Sequence, residues 1–135
     1  MRRRFPGVRR RIRWDALDAL YFGSYALWNY FVTPLFLTQA HCREEGRRLH
    51  VTFADGVPTH SRRQTFHFGD DGLLTRLDYT AEVFGKWARA KHVCAEHRAF
   101  DGLVFPTRRR VTMRGTRRPI LIWIDVDEVS VLGHG

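Results

Sequence analysis

Leu73-Leu74-Thr75-Arg76-Leu77-Asp78-Tyr79-Thr80-Ala81-Glu82-Val83-Phe84-Gly85-Lys86-Trp87-Ala88-Arg89-Ala90-Lys91-His92-Val93-Cys94 is the stretch that decides the fold. Leu73, Thr75, Leu77, Tyr79 and Ala81 fall on one face of an extended chain, while Leu74, Arg76, Asp78, Thr80 and Glu82 fall on the other. A two-residue turn at Gly85-Lys86 sets Phe84 opposite Trp87, and the register then follows. Glu82 opposes Arg89, Tyr79 opposes His92 and Leu77 opposes Cys94. Charges pair on one face, and Leu77, Tyr79, Ala81, Ala90, His92 and Cys94 share the other.

The same period of two extends outward from this hairpin. On the N-terminal side Leu49, Val51 and Phe53 alternate with His50 and Thr52 before the Asp55-Gly56 turn. Phe66 and Phe68 alternate with Thr65 and His67 before Asp70-Asp71-Gly72. On the C-terminal side the Asp101-Gly102 turn leads into Leu103 to Met113, and a loop at Arg114 to Arg118 leads into Ile120, Ile122, Ile124 and Val126. Leu121 and Trp123 on the second face of that last strand predict that both its sides are covered near its start. About six antiparallel strands result, forming a curved meander.

Before Gly46 the pattern is helical. Ala19 to Leu37 is uncharged, and Asp15 and Asp18 stand at its head, where they favour the positive end of a helix dipole. Ala16, Ala19, Gly23 and Ala26 form a smooth stripe for close packing on a sheet. Leu17, Leu20, Tyr21, Leu27, Trp28 and Phe31 cover much of the remaining circumference. Pro34 is expected to stop the helix near Phe31 to Thr33. Arginines ahead of an uncharged stretch, including Arg2-Arg3-Arg4-Phe5, also fit an export signal or a membrane anchor through 19–37. Gly23, Ser24, Asn29, Thr33 and Pro34 dilute that stretch with groups that hydrocarbon does not reward, so a core helix is preferred, and with it a cytoplasmic protein without membrane association.

The fold class expected is therefore α+β, an N-terminal aromatic helix on the meander. Residues 14–135 make one domain, and 1–13 form a basic flexible arm holding Pro6-Gly7. The net charge is +9, but seven arginines precede Trp14 and leave +2 for the rest. A balanced domain with a basic arm does not describe a nucleic-acid interface, which needs basic groups on one folded face. Cys42 and Cys94 are too few for a disulfide framework or a zinc site. No two histidines sit at metal-ligand spacing within one element, and no cofactor motif occurs, so neither metal nor cofactor is expected.

The run Phe100-Asp101-Gly102-Leu103-Val104-Phe105-Pro106-Thr107-Arg108-Arg109, with the strand ending in Asp125-Val126-Asp127-Glu128-Val129, resembles the C-terminal strands of lipoprotein-carrier-like (LolA-like) bacterial folds. Trp14 to Val129 is similar to a set of bacterial proteins through Tyr25-Ala26-Leu27-Trp28-Asn29-Tyr30 and Asp78-Tyr79-Thr80-Ala81-Glu82-Val83. The resemblance implies a curved sheet around a greasy cavity plugged by a helix, and it implies no reaction. Those proteins carry several strands before the position of Trp14, where this chain has its basic arm, so the chain reads as a truncated version.

The expected function is non-enzymatic binding of an apolar small molecule, a lipid or acyl chain, lined by Tyr21, Trp28, Phe31, Tyr79 and His92. Two alternatives stand beside it. One is a small enzyme using His92 with Glu96 or Asp78 as general acid or base, although Asp78 faces away from His92. The other is a domain that serves only in packing or dimerisation. Arg109 is expected to be the one inward arginine of its strand, near Glu96. A meander lacking its first strands would leave an unpaired edge around Arg47 to Phe53, so a homodimer is expected.

Overall fold

Asp15 and Asp18 start the helix by satisfying each other's backbone. The Asp18 N–H donates to Asp15 Oδ1 at 2.8 Å, and the Asp15 N–H donates to Asp18 Oδ2 at 3.4 Å. This reciprocal arrangement is a capping box, and it places helix α1 at Ala16–Phe36. The computed structural model describes residues 15–114, 120–130 and 132, with side chains described at all of these except 19, 33–36, 114 and 120. The basic arm and most of the loop at Arg114 to Arg118 lie outside the described residues.

Pro34 does not end the helix, which continues to Phe36. A proline in a helix supplies no N–H to the carbonyl four residues earlier, here that of Tyr30. The Arg109 guanidinium fills the gap, donating from Nη2 to the Tyr30 carbonyl oxygen at 3.0 Å. A tertiary hydrogen bond thus stands in for the missing local one. Among the described residues no helix is long and apolar enough to cross a membrane.

A short 3-10 turn, Leu37–Gln39, leads into seven strands: β1 His41–Glu45, β2 Arg48–Thr52, β3 Arg63–Phe68, β4 Leu74–Thr80, β5 Arg89–Phe100, β6 Leu103–Arg114 and β7 Ile120–Asp125. Each pairs antiparallel with the next in chain order, and the sheet stays open between β1 and β7. The α+β class and the antiparallel meander of the sequence reading are those observed, with one strand more than expected.

The extra strand is β1, which pairs along β2 from His41↔Thr52 to Glu45↔Arg48. All five of its residues are exposed, so it lacks the alternating apolar signal of a half-buried strand. It also removes the predicted unpaired edge at Arg47 to Phe53, because β2 is flanked on both sides. The open edges are β1 and β7.

The central hairpin keeps its faces but not its register. Tyr79 lies opposite Ala90, and Leu77 opposite His92, two residues away from the expected pairing. Gly85-Lys86 is no two-residue turn. The chain closes instead at Ala81 N–H to Ala88 O (2.8 Å), across successive turns from Phe84 N–H to Ala81 O and from Ala88 N–H to Gly85 O. A slip of two is even, so the residues paired across it, 76–80 with 89–93, stay on their predicted faces. Asp101-Gly102 is the tight turn the sequence indicates: Phe100 pairs with Leu103, and both turn residues have positive φ, 48° and 81°, as a primed turn requires.

The core lies on the inner face, where Val51, Phe53, Phe66, Leu77, Tyr79, Ala90, Val111 and Met113 are buried together. Helix α1 meets it along Phe22, Tyr25, Ala26, Asn29 and Tyr30, whose three- and four-residue spacing makes one face. Of the expected stripe of small residues Ala26 joins that contact, whereas Ala16 is exposed and a Cβ at Gly23 would meet nothing within 4 Å. The strand β7 is also open on its outer side, with Leu121 56 % and Trp123 71 % exposed, in contrast to the two-sided cover expected of it.

Candidate functional site

Between the C-terminal part of α1 and the inner face of β3 to β6 lies a cavity of about 190 Å³. Its apolar walls include Phe66, Phe68, Leu74, Leu77 and Phe105. Asn29, Tyr30, His60, Gln64 and Arg109 make its polar part. Leu74 was expected on the outer face with Arg76 and Asp78. A register shift between His67 and Phe68 pairs Phe68 with Leu74 and turns that leucine to the cavity.

His60 sits on the long loop between β2 and β3, which hydrogen bonds tie down at several points. Phe53 N–H donates to Arg62 O at 2.9 Å and closes its base. Asn29 Nδ2 reaches across from the helix to Pro58 O at 2.7 Å. Gln64 Nε2 donates to Ser61 O at 3.0 Å, and Glu82 N–H donates to His60 O at 3.0 Å. The ring of His60 then stacks on Tyr79, with centroids 4.9 Å apart and planes within 8°. Its Nε2 lies 3.2 Å from the Tyr30 hydroxyl, which is 3.5 Å from the Tyr79 hydroxyl.

Arg109 is the centre of the second half of the cluster. It is 2 % exposed, and its charge is held among neutral groups. Nη1 donates to His92 Nε2 at 3.5 Å and to Cys94 Sγ at 3.6 Å, while Nη2 takes the Tyr30 carbonyl. The guanidinium carbon lies 5.2 Å from the centroid of the Tyr30 ring, a cation–π contact. His92, fully buried, meets that ring edge-on at 4.6 Å. Among the described residues three polar atoms of this cluster are buried without a hydrogen-bond partner: His60 Nδ1, His92 Nδ1 and Arg109 Nε.

Electrostatics follow from burial. Removal from water pushes His60 down to about 4. Burial, then the Arg109 charge and His60, push His92 down to about 3. Both rings are therefore neutral at neutral pH, and because His92 Nε2 accepts from Arg109, its proton is on Nδ1. Burial also raises the Tyr30, Tyr79 and Cys94 groups, so the hydroxyls and the thiol stay protonated. Arg109 is the cluster's one charge.

The expected neighbour of Arg109, Glu96, is elsewhere. By strict alternation Glu96 would follow His92 and Cys94 onto the inner face. It adopts a φ of 55° and drops out of the ladder between Ala95↔Arg108 and His97↔Pro106. Its carboxylate is exposed and forms an ion pair with Arg108. His97 takes the inward place, donating from Nε2 to Leu74 O at 3.0 Å. Asp78, on the outer face, bonds Arg76 and His67. Neither carboxylate considered for acid–base chemistry is brought to His92.

Of the five lining residues expected from the sequence, Tyr79 and His92 are buried in the polar cluster beneath the cavity wall. Phe31 packs edge-on to the wall residue Phe105, at 5.7 Å. Tyr21 is exposed, and Trp28 is half-buried on the helix. The sequence reading passed over His60, Gln64 and Asn29 as lining groups. Gln64 carried a usable signal, since it precedes Phe66 and Phe68 on one face of β3. His60 carried none, being placed by a loop. Among the described residues no three His, Cys, Asp or Glu side chains converge as a metal site. No family model, curated protein or solved structure matches the chain.

Proposed function

We propose that the domain binds an apolar or acyl-chain ligand in the cavity between α1 and the sheet. The observation that carries this reading is the cavity itself, about 190 Å³ walled mainly by Phe66, Phe68, Leu74, Leu77 and Phe105, with a few convergent polar groups at one part. Apolar walls with sparse polar anchors are the usual composition of a small-molecule site. The resemblance of Phe100 to Arg109 to lipoprotein-carrier-like strands points the same way. Calorimetric titration with a homologous series of straight-chain primary alcohols tests it. Each added methylene should improve binding by about 0.8 kcal/mol until the cavity is filled, with a negative heat-capacity change. Alcohols that do not bind at any chain length would end the reading.

A further inference from the structure

We propose that the ligand is a single-chain acyl carboxylate, whose head group is received by Arg109 and whose tail lies against Phe66, Phe68, Leu74 and Phe105. The inference rests on the apolar-ligand reading above and adds a charge to it.

Arg109 lines the cavity while being 2 % exposed, and a guanidinium stays protonated in proteins. An isolated buried charge is costly unless an opposite charge compensates it. Among the described residues every group bonded to Arg109 is neutral: a carbonyl, an imidazole and a thiol. Among the described residues its five N–H donors meet these three acceptors, and Nε has none. The sheet has a carboxylate in phase with this position, that of Glu96, and a left-handed residue turns it outward to Arg108. A non-glycine residue in that conformation stores strain, and such strain is characteristic of places where a function needs it.

What is missing is one negative charge beside an apolar chamber. A carboxylate supplies one charge and two oxygens that fit a guanidinium edge. A phosphate dianion would bring a second charge to a cluster whose histidines are neutral. The apolar walls call for an alkyl tail on the same molecule.

Calorimetry with decanoate, 1-decanol and acetate separates the contributions, on the wild type and on Arg109→Met and Arg109→Lys. A charge-assisted hydrogen bond should make decanoate about ten- to a hundredfold tighter than decanol in the wild type, and acetate far weaker than either. Arg109→Met should erase the advantage of decanoate, so that decanoate and decanol bind this variant with similar affinity. Arg109→Lys, which keeps the charge but loses the fork, should reduce the advantage without abolishing it. Should Arg109→Met fail to fold for want of the Tyr30 bond, the wild-type ratio and Arg109→Lys decide. Equal affinity for decanoate and decanol in the wild type would overturn the carboxylate inference and leave the apolar reading standing. An advantage that survives intact in Arg109→Met, or acetate binding as tightly as decanoate, would overturn it too. Binding of neither long-chain compound would mean that the underlying reading has failed.

Discussion

The two faces of the sheet each carry an arginine–histidine cluster, and the two are built in opposite ways. On the outer face Arg76 grips Asp78 with one edge of its guanidinium, Nε to Oδ1 at 2.7 Å and Nη2 to Oδ2 at 2.6 Å, and His67 Nε2 adds a third contact at 2.9 Å. Partial burial raises the Asp78 carboxyl, but the bonds from Arg76 and His67 outweigh it and hold the group below its usual value. On the inner face Arg109, His92 and His60 meet tyrosines, a thiol and a carbonyl, with no carboxylate among the described residues bonded to them. The outer cluster completes its own charge balance, and the inner one is left with a cation facing a cavity. A sequence rich in arginine can hold both, because the side of the strand rather than the residue type decides the partner.

The largest effect that would break this contrast is that of acid. Unfolded histidines take up a proton near pH 6.5, whereas His60 and His92 resist it to about 4 and about 3. Below pH 6.5 the unfolded chain therefore binds more protons than the folded one, and stability falls as pH falls. The two rings together should cost about 3 to 4 kcal/mol of unfolding free energy between pH 7 and pH 5. Denaturant titrations at the two pH values measure this, and equal stability would mean that the inner histidines are not held neutral. Next in size is Tyr30→Phe, which removes the hydroxyl shared by the buried His60 and Tyr79. Leaving those groups unsatisfied should destabilise by about 1 to 3 kcal/mol in urea unfolding.

The outer cluster should respond less. Asp78→Asn cuts both the Arg76 and His67 contacts, yet water replaces them, and the same urea experiment should show a loss below about 1 kcal/mol. Smallest is Glu96→Gly, which relieves a positive φ and gives up an exposed ion pair. Its thermal unfolding should stay within about 1 kcal/mol of the wild type. A larger loss there would show that Glu96 supports the inner face after all.

Apart from Leu74 and Glu96, the faces of β2 to β6 were legible because period two is a backbone property that survives a slip of two, as the hairpin around Gly85 shows. Register was not, since the loop from Glu82 to Trp87 folds into successive turns that no dipeptide signals. The strand β1 was invisible for a physical reason: an edge strand exposed along its whole length has no apolar alternation to display. Pro34 misled in a similar way, because the bond that lets the helix pass through it comes from Arg109, 79 residues along the chain from Tyr30. In the candidate site, the inward turn of Arg109 could be read from Phe105, Thr107, Val111 and Met113 on the same face. Its missing carboxylate could not, since that depends on one backbone angle at Glu96.

A crystal structure of the wild-type protein with decanoate tests the central claim most directly. The account predicts the carboxylate within hydrogen-bond distance of Arg109 Nε and the tail running along Phe66, Phe68, Leu74 and Phe105. A tail in the cavity with its carboxylate turned to solvent, or a cavity that stays closed to decanoate, would contradict it.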